Sequence, residues 1–119
     1  MSLNPVAGKA LRFTFEDGPM AGKTFEHVFS ESGAVRFRQL GGNGEGTTVK
    51  KYEAASVGAD VLVVSYLGSS GYTLTAVLDR RTRKLVAFSS NEHMHLVQHG
   101  TFEEVNGSDV ASRDYRSIP

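Results

Sequence analysis

Hydrophobic and polar residues alternate along most of this chain with a period of two. Leu11, Phe13 and Phe15, for example, are separated by Arg12 and Thr14. This pattern is typical of β-strands, whose successive side chains point to opposite faces. Segments rich in Gly, Ser, Asp and Asn interrupt it, as turns do. The alternation predicts eight short strands within residues 11–16, 25–29, 35–38, 47–56, 60–67, 72–79, 85–89 and 93–105.

The regular spacing of these strands predicts an all-β fold in which sequence neighbours pair antiparallel. A meander of about eight strands removes its two exposed edges by closing into an up-and-down barrel. The interior of a barrel of that size is either filled by side chains or holds one small ligand. We therefore predict a single antiparallel barrel domain over residues 8–105. The polar residues 106–119 are expected to form a C-terminal tail.

Composition narrows the classes of function. Lys and Arg number 13 and Asp and Glu also number 13, so the chain lacks the basic excess that nucleic-acid-binding proteins usually show. The absence of cysteine excludes disulfides, thiolate metal sites and cysteine nucleophiles. The longest apolar stretch, residues 61–64, is too short for a signal peptide or a membrane helix. We therefore expect a cytoplasmic protein with no nucleic-acid or membrane partner.

Three segments resemble MoaF-like domains, a family named after the molybdenum cofactor biosynthesis protein F. They are GYTLTAVLD at 71–79, LVAF at 85–88 with Thr82 before it, and VQHGTFE at 97–103. The resemblance covers residues 8–105 and implies a lipocalin-like barrel of the calycin type. The chain departs from true lipocalins because it contains no tryptophan, so their Trp-based barrel closure is absent. The family name implies no defined reaction, and we expect no cofactor.

Several polar side chains are candidates for ligand contacts. Arg36 and Arg38 share one face of the third strand, and later strands carry Tyr52, Tyr66 and Tyr72. Inside a barrel, these groups could hold a carboxylate or phosphate, with Arg as a planar fork and Tyr as a donor. Small decarboxylases with a lipocalin-like barrel use Tyr, Arg and Glu in this way, and Glu53 is the nearest acidic candidate here. Simple alternation supports a competing hypothesis, in which Val35 and Phe37 fill the core and the arginines face water.

The last predicted strand has two chemically different faces. One carries the histidines His93, His95 and His99, of which the first two lie about 7 Å apart along a strand. These could share a metal ion, with His27 as a third nitrogen ligand, or they could simply face solvent. The other face carries Met94, Leu96, Gln98 and Phe102. We expect this second face to line the barrel, so that Met94, Leu96 and Gln98 border a ligand pocket.

Three functional hypotheses follow from this sequence. The first is a barrel that binds a small apolar or aromatic molecule, since the chain has seven Phe and four Tyr on alternating faces. The second is a lyase, isomerase or cyclase that uses Tyr, Arg, Glu or His inside the barrel as acid and base. It requires at least two titratable groups that converge in the cavity with shifted pKa values. The third is a module that forms a homodimer through an exposed face of the sheet.

Overall fold

A computed structural model describes residues 4–42, 46–49, 51–68 and 71–105. Within them the chain forms nine β-strands and a short 3₁₀ turn at Gly18–Met20. The strands are β1 (Ala10–Phe15), β2 (Thr24–Phe29), β3 (Val35–Gln39), β4 (Thr47–Val49), β5 (Tyr52–Val57), β6 (Val61–Leu67), β7 (Thr73–Asp79), β8 (Lys84–Ser90) and β9 (His95–Val105). The predicted antiparallel all-β barrel is confirmed, and the extra strand arises because residues 47–56 form two strands. The predicted tail, 106–119, lies outside the described residues.

All nine strands belong to one sheet, in the order β4-β3-β2-β1-β9-β8-β7-β6-β5. Strands that are consecutive in sequence pair antiparallel, except β4 and β5, which are the two edges. The first and last strands also pair, with Phe13 opposite Phe102, and so join the two halves of the sheet. The result is a nearly closed barrel whose remaining gap separates the consecutive strands β4 and β5. In the part of the chain that is described, no helix is long and apolar enough to cross a membrane.

Tyr52 connects strand β5 to the other side of this gap by hydrogen bonds and ring packing. Its backbone N–H donates to the Gly33 carbonyl over 2.9 Å. Its hydroxyl donates to the Ser30 carbonyl and accepts a hydrogen bond from the Asn4 amide, both over 2.9 Å. The ring packs edge-on against Phe29, with centroids 5.0 Å apart. These contacts hold β5 beside the turn between β2 and β3 without a strand pairing.

One end of the barrel interior is filled by apolar side chains. The buried residues at this end include Leu11, Phe29, Val35, Leu62, Leu78, Leu85 and Phe102. The segment before β1 covers it, because Val6 is fully buried in the same cluster and the Gly8 N–H donates to the Phe29 carbonyl over 2.8 Å. Full burial of such a side chain contributes about 1.5–3 kcal/mol. The filled end therefore supplies a large part of the stability of the fold.

The outer face of the barrel carries a row of alternating charges. The Arg12 Nε donates to Glu26 Oε2 over 3.0 Å, and Arg12 lies 3.8 Å from a carboxylate oxygen of Glu103. Glu26 is fully buried although it points away from the barrel interior, and Arg38 lies opposite it on β3. Opposite charges on adjacent strands favour this pairing over a shifted register. The row therefore fixes the alignment of β3, β2, β1 and β9.

Candidate functional site

The second end of the barrel encloses a cavity of about 290 Å³. Its walls are largely aromatic: Phe13, Phe15, Phe25, Phe37, Tyr66 and Tyr72 all line it. Among the described residues, no Asp, Glu, Lys or Arg side chain lines this cavity. Pro19 and Met94 line it and are also exposed to solvent, so they mark where the cavity opens. The site is therefore an uncharged, mainly apolar space with access from one end of the barrel.

The cavity is bordered by small side chains on β8, whereas the opposite wall is aromatic. Ala76 and Ala87 are buried and lie opposite each other in the β7–β8 register. Ala87 and Ser89 line the cavity, whereas the facing strands β1, β2 and β3 contribute large rings. Protein interiors are normally close-packed, so a space of this size requires such a run of small residues. The inward positions of β8 thus determine how much room is left.

His27 occupies the aromatic wall and is almost completely buried. Its ring stacks on Phe13 with centroids 4.4 Å apart and on Phe37 at 5.3 Å. Its Nε2 lies 3.0 Å from the hydroxyl oxygen of Tyr66, whereas Nδ1 has no hydrogen-bond partner among the described residues. Burial lowers the pKa of His27 to about 3, because desolvation disfavours the imidazolium. A backbone interaction with Phe25 opposes this shift in part.

Tyr66 is the partner of His27 on the facing strand β6. Burial raises the pKa of the Tyr66 hydroxyl above its ordinary value, and the neighbouring Tyr72 adds to the shift because two phenolates would repel each other. The ring also stacks on Phe37, with centroids 5.4 Å apart. At neutral pH both members of the His27–Tyr66 pair are therefore uncharged. They can donate or accept hydrogen bonds, but neither is close to the pKa that suits proton transfer at that pH.

Residues 17–20, which we call the strap, lie against β9 at the cavity end of the barrel. The Asp17 carboxylate accepts a hydrogen bond from the His99 backbone N–H over 2.7 Å and a second from His99 Nδ1 over 2.8 Å. These two hydrogen bonds, the backbone one first, hold the pKa of Asp17 below its ordinary value. The Gln98 side-chain amide donates to the Asp17 carbonyl over 3.0 Å. The strap is thereby held where Met20 lines the cavity.

Glycine at position 18 allows this close approach of the strap. Its φ is +74°, a left-handed conformation that other residues rarely adopt. A Cβ atom at this position would lie 2.7 Å from the Gln98 Cγ. A larger residue would therefore have to displace either the Gln98 side chain or the strap itself.

The structure places five of the predicted ligand contacts in the cavity wall: Tyr66, Tyr72, Met94, Leu96 and Gln98. The other three lie elsewhere. Arg36 and Arg38 point to the outer face, where Arg36 Nε donates to Thr48 Oγ1 over 3.3 Å. Tyr52 is inside the barrel but belongs to its filled end. Glu53, the acidic candidate, is exposed on the outer face of β5. The possible cluster of Tyr, Arg and Glu therefore does not form inside the described barrel, and the arginines face outward as simple alternation predicts.

The histidines proposed as weak metal ligands are dispersed. No group of three His, Asp or Glu side chains suited to a metal ion occurs in the described ranges. His93 precedes β9 in a turn, where its N–H donates to Asn91 Oδ1 over 2.7 Å. His95 is exposed, and His99 is bonded to Asp17 of the strap. His27, the suggested third ligand, lies inside the barrel.

From the sequence, His27 is singled out only as a third metal ligand, whereas in the structure it lines the cavity. A signal for this does exist in the sequence, since His27 alternates with Phe25 and Phe29 on the apolar face of its strand. The strap carries no comparable signal. Its contacts with Gln98 and His99 join residues 81 and 82 positions apart in sequence.

Comparison with known proteins agrees with this architecture. The family model of the MoaF N-terminal domain matches residues 2–93. No curated protein matches the chain significantly. A crystal structure from Burkholderia vietnamiensis, named "putative beta-lactamase", is similar with a TM-score of 0.72 and 18% identity, over 88% of this chain and 100% of that one. At this identity the likeness shows a shared fold alone. Since the family model covers most of the sequence, the chain belongs to the family of the MoaF N-terminal domain.

Proposed function

We propose that this barrel binds a small, uncharged, mainly apolar molecule in its cavity. The observation that carries the proposal is the cavity of about 290 Å³, whose described wall is largely aromatic and has no charged side chain. Small-molecule sites in proteins are typically concave and apolar, with a few polar groups that fix orientation. An apolar cavity of about 150 Å³ is large enough for benzene. The space here suits a bicyclic aromatic molecule.

An enzymatic function is the second candidate, because two titratable groups, His27 and Tyr66, do converge in the cavity. Burial shifts the pKa of His27 downward and that of Tyr66 upward. A general base or acid works best when its pKa lies near the working pH, and both shifts lead away from it. The pair is better suited to hydrogen bonding than to proton transfer, which favours binding over catalysis.

The name of the Burkholderia structure does not support a β-lactamase activity for this chain. The sequence contains no Ser-x-x-Lys motif, which supplies the nucleophile of one major class of β-lactamases. The fold itself hosts binding proteins and enzymes alike, so it does not decide between them.

A cavity-filling substitution tests the proposal. In Ala87→Leu, a larger apolar side chain would occupy the space beside Ser89 and leave no room for a bicyclic ligand. The matched control is Ala55→Leu, the same substitution at an exposed position on the outer face of β5. Thermal unfolding is followed with and without 2-naphthol and 2-methylnaphthalene, which are both neutral at pH 7.

We expect at least one of these probes to raise the melting temperature of the wild type and of Ala55→Leu by roughly 5 °C near saturation. The same probe should leave Ala87→Leu unchanged. Binding to Ala87→Leu as strong as to the wild type would place the site outside the cavity. A lack of binding by the wild type to both probes would refute the proposal.

A further inference from the structure

The inner face of β8 places one hydroxyl in the wall of the cavity. Leu85, Ala87 and Ser89 occupy successive inward positions of this strand, and the last two line the cavity. In the strand register Ser89 lies between Leu74 of β7 and Leu96 of β9, which also line the cavity. The Ser89 hydroxyl therefore stands among apolar side chains on the inside of the barrel.

This hydroxyl is accessible and unpaired. Ser89 is only partly buried. No hydrogen bond within the described ranges involves its Oγ, which nevertheless keeps accessible surface, unlike His27 Nδ1. Two other polar groups of the wall are already engaged, since the Tyr66 hydroxyl bonds to His27 Nε2 and the Gln98 amide donates to the Asp17 carbonyl. Ser89 thus offers a hydroxyl that can still donate and accept a hydrogen bond.

We propose that Ser89 selects for one neutral oxygen, a hydroxyl or a carbonyl, on the bicyclic aromatic ligand. This inference rests on the proposed binding function and names the class of molecule that the cavity takes. A ligand that fills the cavity covers the Ser89 hydroxyl and removes water from it. A pure hydrocarbon leaves this hydroxyl without a partner, which is costly, whereas an oxygen on the ligand satisfies it. Serine can serve both kinds of oxygen because its hydroxyl both donates and accepts.

The direction of β8 gives the orientation of such a ligand. The strand runs from Leu85, in the filled end, to Ser90, and the turn that follows leads to Met94 at the opening. Ser89 is therefore nearer to the opening than Ala87. Successive inward positions of a strand are about 7 Å apart. A ligand whose oxygen meets Ser89 would thus extend its rings inward along Ala87, towards the aromatic wall.

Tyr72 carries a second hydroxyl that lines the cavity, and it is the competing candidate for this role. It precedes β7, in a turn where its carbonyl accepts a hydrogen bond from the Gly68 N–H over 2.6 Å. Ser89, in contrast, is paired on both sides within the sheet, so its short side chain has a fixed place in the wall. A group held in this way is better suited to select a ligand, because it loses little freedom on binding.

Three naphthalene probes of nearly equal size test this assignment. Two of them, 2-naphthol and 2-naphthaldehyde, carry an oxygen, and 2-methylnaphthalene is the hydrocarbon counterpart. Dissociation constants are measured at pH 7.5 for the wild type, for Ser89→Ala and for Ser89→Cys, which keeps the shape but has only a weak donor. The matched control is Ser90→Ala, the same change at the next residue, on the outer face. Tyr72→Phe removes the competing hydroxyl.

The quantity compared is the preference of each protein for oxygen, the Kd of 2-methylnaphthalene divided by that of an oxygen probe. Differences in hydrophobicity between the probes cancel when this ratio is compared between proteins. We expect the preference for at least one oxygen probe to fall about tenfold from the wild type to Ser89→Ala, the effect of one good hydrogen bond. It should fall in Ser89→Cys too, and stay within about twofold of the wild type in Ser90→Ala and Tyr72→Phe. Ser89→Ala should also bind 2-methylnaphthalene more tightly than the wild type, because no hydroxyl loses its water.

The outcomes distinguish this inference from the proposed function on which it rests. If the Ser89 variants bind the probes with the wild-type preferences, the cavity is a binding site and the role of Ser89 is refuted. A preference that falls only in Tyr72→Phe, or equally in Ser90→Ala, refutes it too. If the wild type binds none of the three probes, the binding function itself fails. Should Ser89→Ala not fold, Ser89→Cys decides.

Discussion

Substitution of His27 by phenylalanine should make the barrel more resistant to acid. In the folded protein, burial lowers the pKa of His27 to about 3, whereas its ordinary value is 6.5. Between these two pH values the unfolded chain binds a proton at this residue and the folded chain does not. The free energy of unfolding therefore falls as the pH falls from 6.5 towards 3. Above this window His27 is neutral in both states and has no effect on the pH dependence.

The expected magnitude follows from the width of the window. A site that is protonated only in the unfolded state changes the free energy of unfolding by about 1.4 kcal/mol per pH unit. Lowering the pH from 7.5 to 4.5 takes it about two units below the ordinary pKa of histidine, which gives a loss of about 2.7 kcal/mol from His27 alone. Small domains have a total stability of about 5–15 kcal/mol, so the loss is large enough to measure.

Urea unfolding at both pH values measures this loss for the wild type and for His27→Phe. The variant keeps a ring between Phe13 and Phe37 but has no group to protonate. Carboxylates titrate in both proteins, so the difference between their losses isolates His27. We expect the wild type to lose about 2.7 kcal/mol more than the variant. The matched control is His95→Phe, the same change at an exposed histidine of β9, and it should keep the full wild-type loss. An equal loss in His27→Phe and the wild type would refute the reasoning.

Two further predictions concern the strap and the outer face. Gly18→Ala should speed the release of 2-naphthol several-fold in stopped-flow fluorescence, because the new Cβ would lie 2.7 Å from the Gln98 Cγ. Gly22→Ala is the control, because Gly22 also has a positive φ but nothing lies within 4 Å of the new Cβ. It should lose a similar stability, about 1–2 kcal/mol, without releasing 2-naphthol faster. Equal release rates for the two variants would contradict a role of the strap. Arg12→Met removes a cation 3.0 Å from the buried Glu26 carboxylate and should cost about 3 kcal/mol in urea unfolding. Arg12→Lys should recover part of this, and an undiminished stability of Arg12→Met would show that the pair contributes nothing.

The side of the sheet on which a residue lies could be predicted from sequence wherever alternation is strict. On β9 the period of two places Leu96 and Gln98 inside and His95 and His99 outside, as the structure shows. The same rule applied to the third strand favours an outward Arg38. The hypothesis that the arginines contact a ligand gave more weight to their chemistry than to this alternation. The structure follows the alternation, because both arginines point to the outer face.

The position of a residue along the barrel axis could not be predicted in the same way. Tyr52 and Tyr66 both point inward, and they lie opposite each other in the β5–β6 register. Tyr52 nevertheless bridges the gap at the filled end, whereas Tyr66 lines the cavity and meets His27. The tilt of barrel strands allows such a difference between paired residues. That outcome depends on pairings between strands distant in sequence. A single sequence with apolar residues on both faces of 47–56 does not specify them.

Under the proposed function the two ends of the barrel have different roles, one for stability and one for binding, and His27 shows the consequence for stability. A phenylalanine in its place would extend the stack of Phe13 and Phe37, avoid an unpaired Nδ1 and remove the sensitivity to acid. An imidazole at this position therefore costs stability. The filled end, where Val6 and Phe29 are fully buried, can offset that cost. What the imidazole adds is a neutral hydrogen-bonding partner for the Tyr66 hydroxyl in a largely apolar wall, which suits the proposed binding function.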